Sequence, residues 1–373
     1  MNQKNQKPYL SIVTRARNDE YAGGYLERLE FTQDILFKQL ERQQIESEYI
    51  LVDWNPPEDK PRLKDAMNWP SNLKYTTTKV IEVEPEIHRR YGYWEIMNIN
   101  PIVALNAGIR RAKGNFIVHR AGDVIWSDEM VSFIALRELE KGWFYRSNRK
   151  CINANILSED LKSYATVLDY CKNNVLRVDY PGQKKIANLP LLHTNAAGDF
   201  SLMSREMWID VRGYFESSDV TIGGKIDNLL LISAFAAGYR ETRLSGDISI
   251  YKIVHDAMFT TSTQLNRGVD NSPIKRIHMS IYNFFEKYVL SMGIPWFLER
   301  RYMSFFRLLF GNFMPSYKKV PYLPNSYFIN LFNNIVKGKV SYRMNSKDWG
   351  LGQESLKEFV INTADWEQDC GKN

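Results

Sequence analysis

A chain of 373 residues with 44% hydrophobic and 25% charged side chains has the composition of a folded globular protein, in one large domain or two ordinary ones. That composition excludes a disordered or fibrous chain, and with no run of eighteen apolar residues a spanning helix is excluded too. The net charge of +6 is unevenly placed, because 272–343 holds eleven Lys or Arg against Glu286 and Glu299, together with 17 of the 49 aromatic residues.

The polar start, Met1 to Pro8, has no apolar core and does not read as a secretory signal. Tyr9 to Thr14 (YLSIVT) reads as a buried strand. Leu26, Leu29, Leu36 and Leu40 then fall at helical spacing. Tyr49 to Asp53 is a second apolar strand, stopped by Asn55-Pro56-Pro57, because proline lacks the donor a strand needs. Lys79 to Val83 is a third strand. A helix over 102–112 ends at Lys113-Gly114, and Asn115 to Val118 is a fourth strand. Ser127 is placed as an N-cap, with Asp128 and Glu129 in the first turn and Met130, Phe133 and Ile134 on the apolar face. The polar stretch Cys151 to Leu189 reads as an insertion or a lid. Beyond Ser272-Pro273, a further N-cap and first-turn proline, Ile274, Ile277, Ile281 and Phe284 share one helical face. Leu298, Tyr302, Phe305 and Leu309 share another.

Strands alternating with helices imply an α/β fold with a mostly parallel sheet covered on both faces. Ligands bind such sheets beyond the carboxyl ends of the strands. Arg15, Arg17, Asn18 and Asp19, then Asp53, then His119 to Asp123 are the residues at those ends. No P-loop, GxGxxG, HExxH or GxSxG motif occurs. The cysteines Cys151, Cys171 and Cys370 form no CxxC pair, so neither a zinc knuckle nor a disulfide framework is encoded, and a reducing cytoplasm fits.

The segment Leu105 to Asp123, LNAGIRRAKGNFIVHRAGD, resembles the centre of family-2-type, GT-A-fold glycosyltransferases, where such a helix leads into a strand ending in a D-x-D-like motif. Leu10 to Asp19 is similar to that family's first strand and nucleotide loop, and Asp53 to Pro57 to the acidic end of its second strand. Thr194 to Arg205 and Arg212-Gly213-Tyr214 resemble its acceptor-side strand and turn. Ile226-Asp227-Asn228, ahead of an apolar helix, resembles the placement of its catalytic acid. These pieces span about residues 8–257, in the family's order.

The resemblance implies a GT-A Rossmann-like domain over 8–257 and a helical, basic and aromatic region over 258–373. It implies a hexosyltransferase-like enzyme that moves a sugar from a nucleotide-diphosphate donor to a hydroxyl of a glycan or lipid-linked acceptor, in surface polysaccharide synthesis. Thr14, Arg15, Arg17, Asp19, Asp53, Asn106, Arg110 and Asp123 are the implied donor-binding residues, and His193 and Asn195 the acceptor contacts. Asp227 is the implied general base, with Asp199 as its competitor. Mn2+ or Mg2+ is the implied cofactor, on Asp123 and His255. The D-x-D motif is incomplete, since Ala121 stands where its first acid would, so Arg120 or other bases are alternatives for neutralising phosphate.

Plainer roles stand beside these. Asp53 reads also as a turn cap, Asp227 as a helix cap, and Arg15 and Arg17 as surface charge. A non-catalytic module binding nucleotide sugars is the alternative function. The basic block predicts an anionic membrane surface on the cytoplasmic side, or the solvated face of a helical subdomain. No nucleic-acid motif is present, and nucleic acid is not an expected partner.

Overall fold

A computed structural model describes residues 7–19, 21, 23–92, 94, 95, 97–161, 163–179, 190–217, 225–254 and 325–368. The strands are β1 (Leu10–Ala16), β2 (Ser47–Trp54), β3 (Thr76–Val83), β4 (Phe116–Arg120), β5 (Val124–Trp126), β6 (Trp143–Ile152), β7 (Val175–Asp179), β8 (Phe200–Ser204), β9 (Arg240–Ile253) and β10 (Lys357–Asn362). They form one sheet in the order β10-β3-β2-β1-β4-β8-β6-β9-β5, with β7 paired to β6. The run β3-β2-β1-β4 is parallel throughout. β8 joins it antiparallel through β4, and beyond it β6 and β9 pair parallel to each other.

The helices are α1 (Tyr25–Arg42), α2 (Leu63–Ala66), α3 (Pro85–His88), α4 (Pro101–Arg111), α5 (Asp128–Ala135), α6 (Tyr164–Asn173), α7 (Arg205–Val211), α8 (Ile226–Ala236), α9 (Asn325–Val336) and α10 (Asp365–Gln368). Alternation along the strands splits the core in two. Leu10, Ile12, Tyr49 and Leu51 face Leu29, Leu36, Met130 and Ile134 of α1 and α5. Val13, Ile50, Val52 and Ile81 face the opposite layer, which includes Val103, Met207, Leu230 and Phe328 from α4, α7, α8 and α9. Gly108 sets how closely α4 approaches the sheet. A Cβ there would lie 2.6 Å from Val13 and 3.0 Å from Val52, so only glycine fits without displacement. Asn100 caps α4 by accepting from the Val103 N–H, and Ser127 caps α5 by accepting from Met130, as its position predicted.

Two expectations are corrected. Cys151 to Leu189 is not simply a lid: Cys151 and Ile152 end β6, and α6 and β7 follow, with Val167, Leu168 and Cys171 buried in a third cluster. Nor do residues 325–368 form a separate helical region. Helix α9 packs on α8, and β10 extends the sheet antiparallel to β3, so the boundary at 257/258 does not hold for this part. The amphipathic faces expected over 274–313 lie outside the described residues. Among the described residues, no helix is long and apolar enough to cross a membrane.

Candidate active site

The carboxyl ends of β1, β2 and β4 lie side by side because the three strands are parallel neighbours. Antiparallel β8 brings its amino end to the same place. Phe200 pairs with Arg120, and the Ala121 N–H donates to the Asp199 carbonyl at 3.1 Å. Strand β9 pairs Lys252 with Val124, immediately after Asp123. Three segments far apart in sequence thus converge on Asp123, Asp199 and Lys252.

Lys252 Nζ donates to Asp123 Oδ1 and, at 3.2 Å, to Asp199 Oδ1. Arg149 Nη1 donates to the other Asp199 oxygen, while Arg149 Nε and Nη2 donate to Asp179 Oδ2 at 2.8 and 2.6 Å. Burial alone would push the Asp199 carboxyl up, but Lys252 and Arg149 outweigh it and hold the pKa below the usual value. Burial likewise opposes the charge on Lys252, and Asp123 and Asp199 overcome it, raising the ammonium's pKa.

Asp227 lies in the first turn of α8, whose N-cap is Lys225, so Asp227 is not itself the cap. Its Oδ1 accepts from the Asn228 N–H at 2.9 Å. It borders the turn that carries Asp199, since a Cβ on Gly198 would lie 3.5 Å from Asp227 Oδ2. Burial pushes the Asp227 carboxyl up, and Asp199 adds to this against the Asn228 N–H and Arg146. The two acids, neighbours in space, are therefore displaced in opposite directions.

His119 is buried and its pKa is driven well down, by burial first and then by Arg15. Arg15 Nη1 lies 3.3 Å from His119 Nε2, and guanidinium only donates, so Nε2 accepts and the ring proton sits on Nδ1. Nδ1 then donates to the Tyr214 hydroxyl at 2.8 Å. Thr14 donates to the Arg120 carbonyl at 3.0 Å, fastening β1 to β4. On the β2 side, Arg17 donates to the Asn55 carbonyl at 2.6 Å and pairs with Asp19 at 2.9 Å. Asp53 is fully buried. Its Oδ2 accepts from the Leu63 N–H at 2.9 Å, and its Oδ1 has no partner. Burial, assisted by Glu82 and opposed by the Leu63 N–H, Arg62 and Arg17, pushes its pKa up to about 7.

Several sequence-derived assignments move. The Asn106 amide is spent on a turn: Nδ2 donates to the Tyr214 carbonyl and to Glu216, and Oδ1 accepts from the Tyr214 N–H. Arg110 lies in the last turn of α4, at the amino end of β4 and away from the carboxyl ends. It donates there to the Lys347 and Trp349 carbonyls and borders a cavity of about 550 Å³ that Arg205, Arg212 and Arg343 also line. Arg120 is buried and turned inward, onto the carbonyls of Thr32 and Val124. His193 is buried as well, with Nε2 3.2 Å from Asn148 Oδ1, and burial pushes its pKa down to about 3. Arg146 donates to the carbonyls of both His193 and Asn195. His255 lies outside the described residues.

Sequence reasoning missed Lys252, Arg149 and Asp179. The signal was a lysine inside the apolar run Ile248 to Ile253, because a charge buried in such a strand needs a partner.

Mn2+ and Mg2+ take about six oxygen ligands. Here Lys252 already occupies Asp123 and Asp199, Ala121 offers no ligand, and no group of three or more His, Cys, Asp or Glu able to hold a metal exists among the described residues. The donor set of the described residues does not fit a divalent cation.

Comparison with solved structures gives likenesses at low identity. TarS from S. aureus matches at 16% identity over 66% of this chain and 36% of that chain, with a TM-score of 0.39. TarS 1–349 in complex with UDP matches at 14% over 88% and 90%, with a TM-score of 0.43. The mannosyltransferase PcManGT from Pyrobaculum calidifontis, in complex with GDP-Man and Mn2+, matches at 16% over 67% and 58%, with a TM-score of 0.36. The chain thus spans about a third of the full TarS chain and under two thirds of PcManGT. At such identities and TM-scores these likenesses establish neither family nor activity. No protein-family model matches the sequence, and no curated protein matches it.

Proposed function

We propose that this chain is a GT-A-type glycosyltransferase that moves a hexose-like sugar from a nucleotide-diphosphate donor to a hydroxyl of a glycan or lipid-linked acceptor. The observation that carries the reading is Asp53 Oδ1, a buried carboxylate oxygen without a partner at the carboxyl end of β2. A buried acceptor left unpaired is costly and marks a place where a ligand N–H or O–H completes the bond. A nucleotide base or ribose supplies such a donor. Arg15 and Arg17 stand at the end of the neighbouring strand β1, where planar guanidinium forks suit phosphate.

Transfer to a hydroxyl releases a proton, which a positioned base accepts as the new bond forms. Asp227 suits that task better than Asp199. Its raised pKa strengthens it as a base, whereas Asp199 is committed to two cations and held below its usual range. Asp199 instead, held by Lys252 and Arg149, orders the carboxyl ends of the strands, and His193 and Asn195, whose carbonyls Arg146 holds, stand beside it as the proposed acceptor side. The basic, aromatic sequence 272–343 supports a position on an anionic membrane surface, near a lipid-linked acceptor for surface polysaccharide.

A thermal-shift panel of nucleotides and nucleotide sugars tests the reading, because a ligand that binds the folded state raises its melting temperature. One nucleotide-diphosphate sugar should stabilise the protein and be turned over slowly to the free diphosphate. Stabilisation without turnover on any acceptor identifies a binding module. No stabilisation by any nucleotide sinks both readings.

A further inference from the structure

We propose that Lys252 supplies, within the protein itself, the positive charge that a divalent cation supplies to the donor diphosphate in the enzymes this sequence resembles. The inference rests on the glycosyltransferase reading above and names how that site holds its anion.

Lys252 is fixed from both sides. Its carbon chain leaves β9 opposite Val124, and its ammonium lies between Asp123 and Asp199, with 7% of the residue exposed. Two carboxylates flank the ammonium and fix its position. Arg149 holds Asp199 from the far side and is itself held by Asp179, so the receiving carboxylate does not swing away.

An ammonium has three protons to donate. Two go to Asp123 and Asp199, the two hydrogen bonds its ammonium makes among the described residues. The remaining proton suits a phosphate oxygen bound beyond the carboxyl ends of the strands. A dication placed between the same carboxylates would sit against the ammonium in a poorly screened interior, where like charges repel strongly. The sequence change at Ala121 matches. Losing the first acid removes one negative charge, and Lys252 adds one positive charge, so together they make up the charge of the dication.

The test is calorimetric titration of UDP, GDP and ADP into the full chain, in EDTA and in Mn2+, together with the electron paramagnetic resonance of Mn2+ added to the protein alone. One diphosphate should bind equally in both buffers, and the free-Mn2+ signal should be undiminished by the protein. Lys252→Met should weaken that diphosphate about ten- to hundredfold, as expected for losing one charge-assisted hydrogen bond, with the matching nucleoside unaffected. Lys252→Arg should restore most of the affinity. Binding that vanishes in EDTA and returns with Mn2+, or a wild-type protein that captures Mn2+, overturns the inference and leaves the glycosyltransferase reading standing. Binding of no diphosphate in either buffer overturns that reading and the inference with it. If Lys252→Met does not fold, the wild-type comparison of the two buffers and Lys252→Arg still decide.

Discussion

Asp53→Asn should change the pH dependence of stability by an amount that follows from the burial of one carboxyl. The folded pKa is about 7, against an ordinary 3.8. A carboxyl whose pKa is raised by folding holds its proton more tightly in the folded state. Its contribution is therefore full below about 3.8 and is lost as pH rises through about 7. At about 1.4 kcal/mol per pH unit, that interval amounts to at most about 4 kcal/mol. Asparagine has nearly the same shape, keeps an oxygen for the Leu63 N–H, and does not titrate. The variant should match the wild type near pH 4 and exceed it by up to about 4 kcal/mol near pH 8. Urea denaturation at a series of pH values measures this directly. Glu216, also raised, titrates in both proteins and cancels in the difference, whereas Glu82, which acts on Asp53, ionises more easily once that charge is removed. If the two stability curves run parallel from pH 4 to 8, Asp53 does not carry a buried charge, and its role in the site loses its physical basis. The same variant should bind nucleotide less well, because the stability regained is what the wild type gives up to keep an acceptor open.

Asn106→Ala should cost about 2–4 kcal/mol in urea denaturation, from one buried Tyr214 N–H left without an acceptor and the loss of the Nδ2 bonds, and nucleotide affinity should be unchanged. Reduced affinity with stability intact would return Asn106 to the donor site. Asp227→Asn should leave donor affinity near the wild-type value and lower turnover about 10²- to 10⁴-fold in steady-state assays. If Asp199→Asn has that signature and Asp227→Asn does not, the base has been assigned to the wrong acid.

The half of the sheet made of β1 to β4 was legible in the sequence because each strand is buried on both faces and carries a short apolar stretch, such as Tyr49 to Val52 in β2 and Phe116 to Val118 in β4. The capping of α5 was legible because a Ser–Asp–Glu start is local chemistry. The other half was not. Strand β9 begins with Arg240, Glu241, Thr242 and Arg243, whose polarity reads as loop, and it is a strand only because β6 lies beside it. Strand β10 has the same character, with Lys357 and Glu358 exposed at the sheet edge. In the site, Asp53 and Asp123 are read from the ends of strands, and Asp199 from the resemblance of Thr194 to Arg205 to an acceptor-side strand. Asn106 and Arg110 are read as donor contacts from a motif, which fixes which residues share a helix but not which way each faces; the structure has Asn106 bonded to the turn at Tyr214 and Arg110 to the Lys347 and Trp349 carbonyls. Lys252 escaped because its meaning lies in two carboxylates that are neighbours only after β8 and β9 have paired.

Strand β10 also gives the molecule a history. A polypeptide leaves the ribosome amino end first, so β1 to β4 and their covering helices emerge well before Phe359 can settle opposite Val80. Throughout that interval β3 presents a bare row of amide and carbonyl groups, a template on which a second nascent chain can dock. Closing the seam demands a contact between residues separated by most of the polypeptide, the sort of contact that folds slowly. The sheet is thus completed from its most distant piece, and the newborn protein must be kept apart from its siblings until that piece arrives.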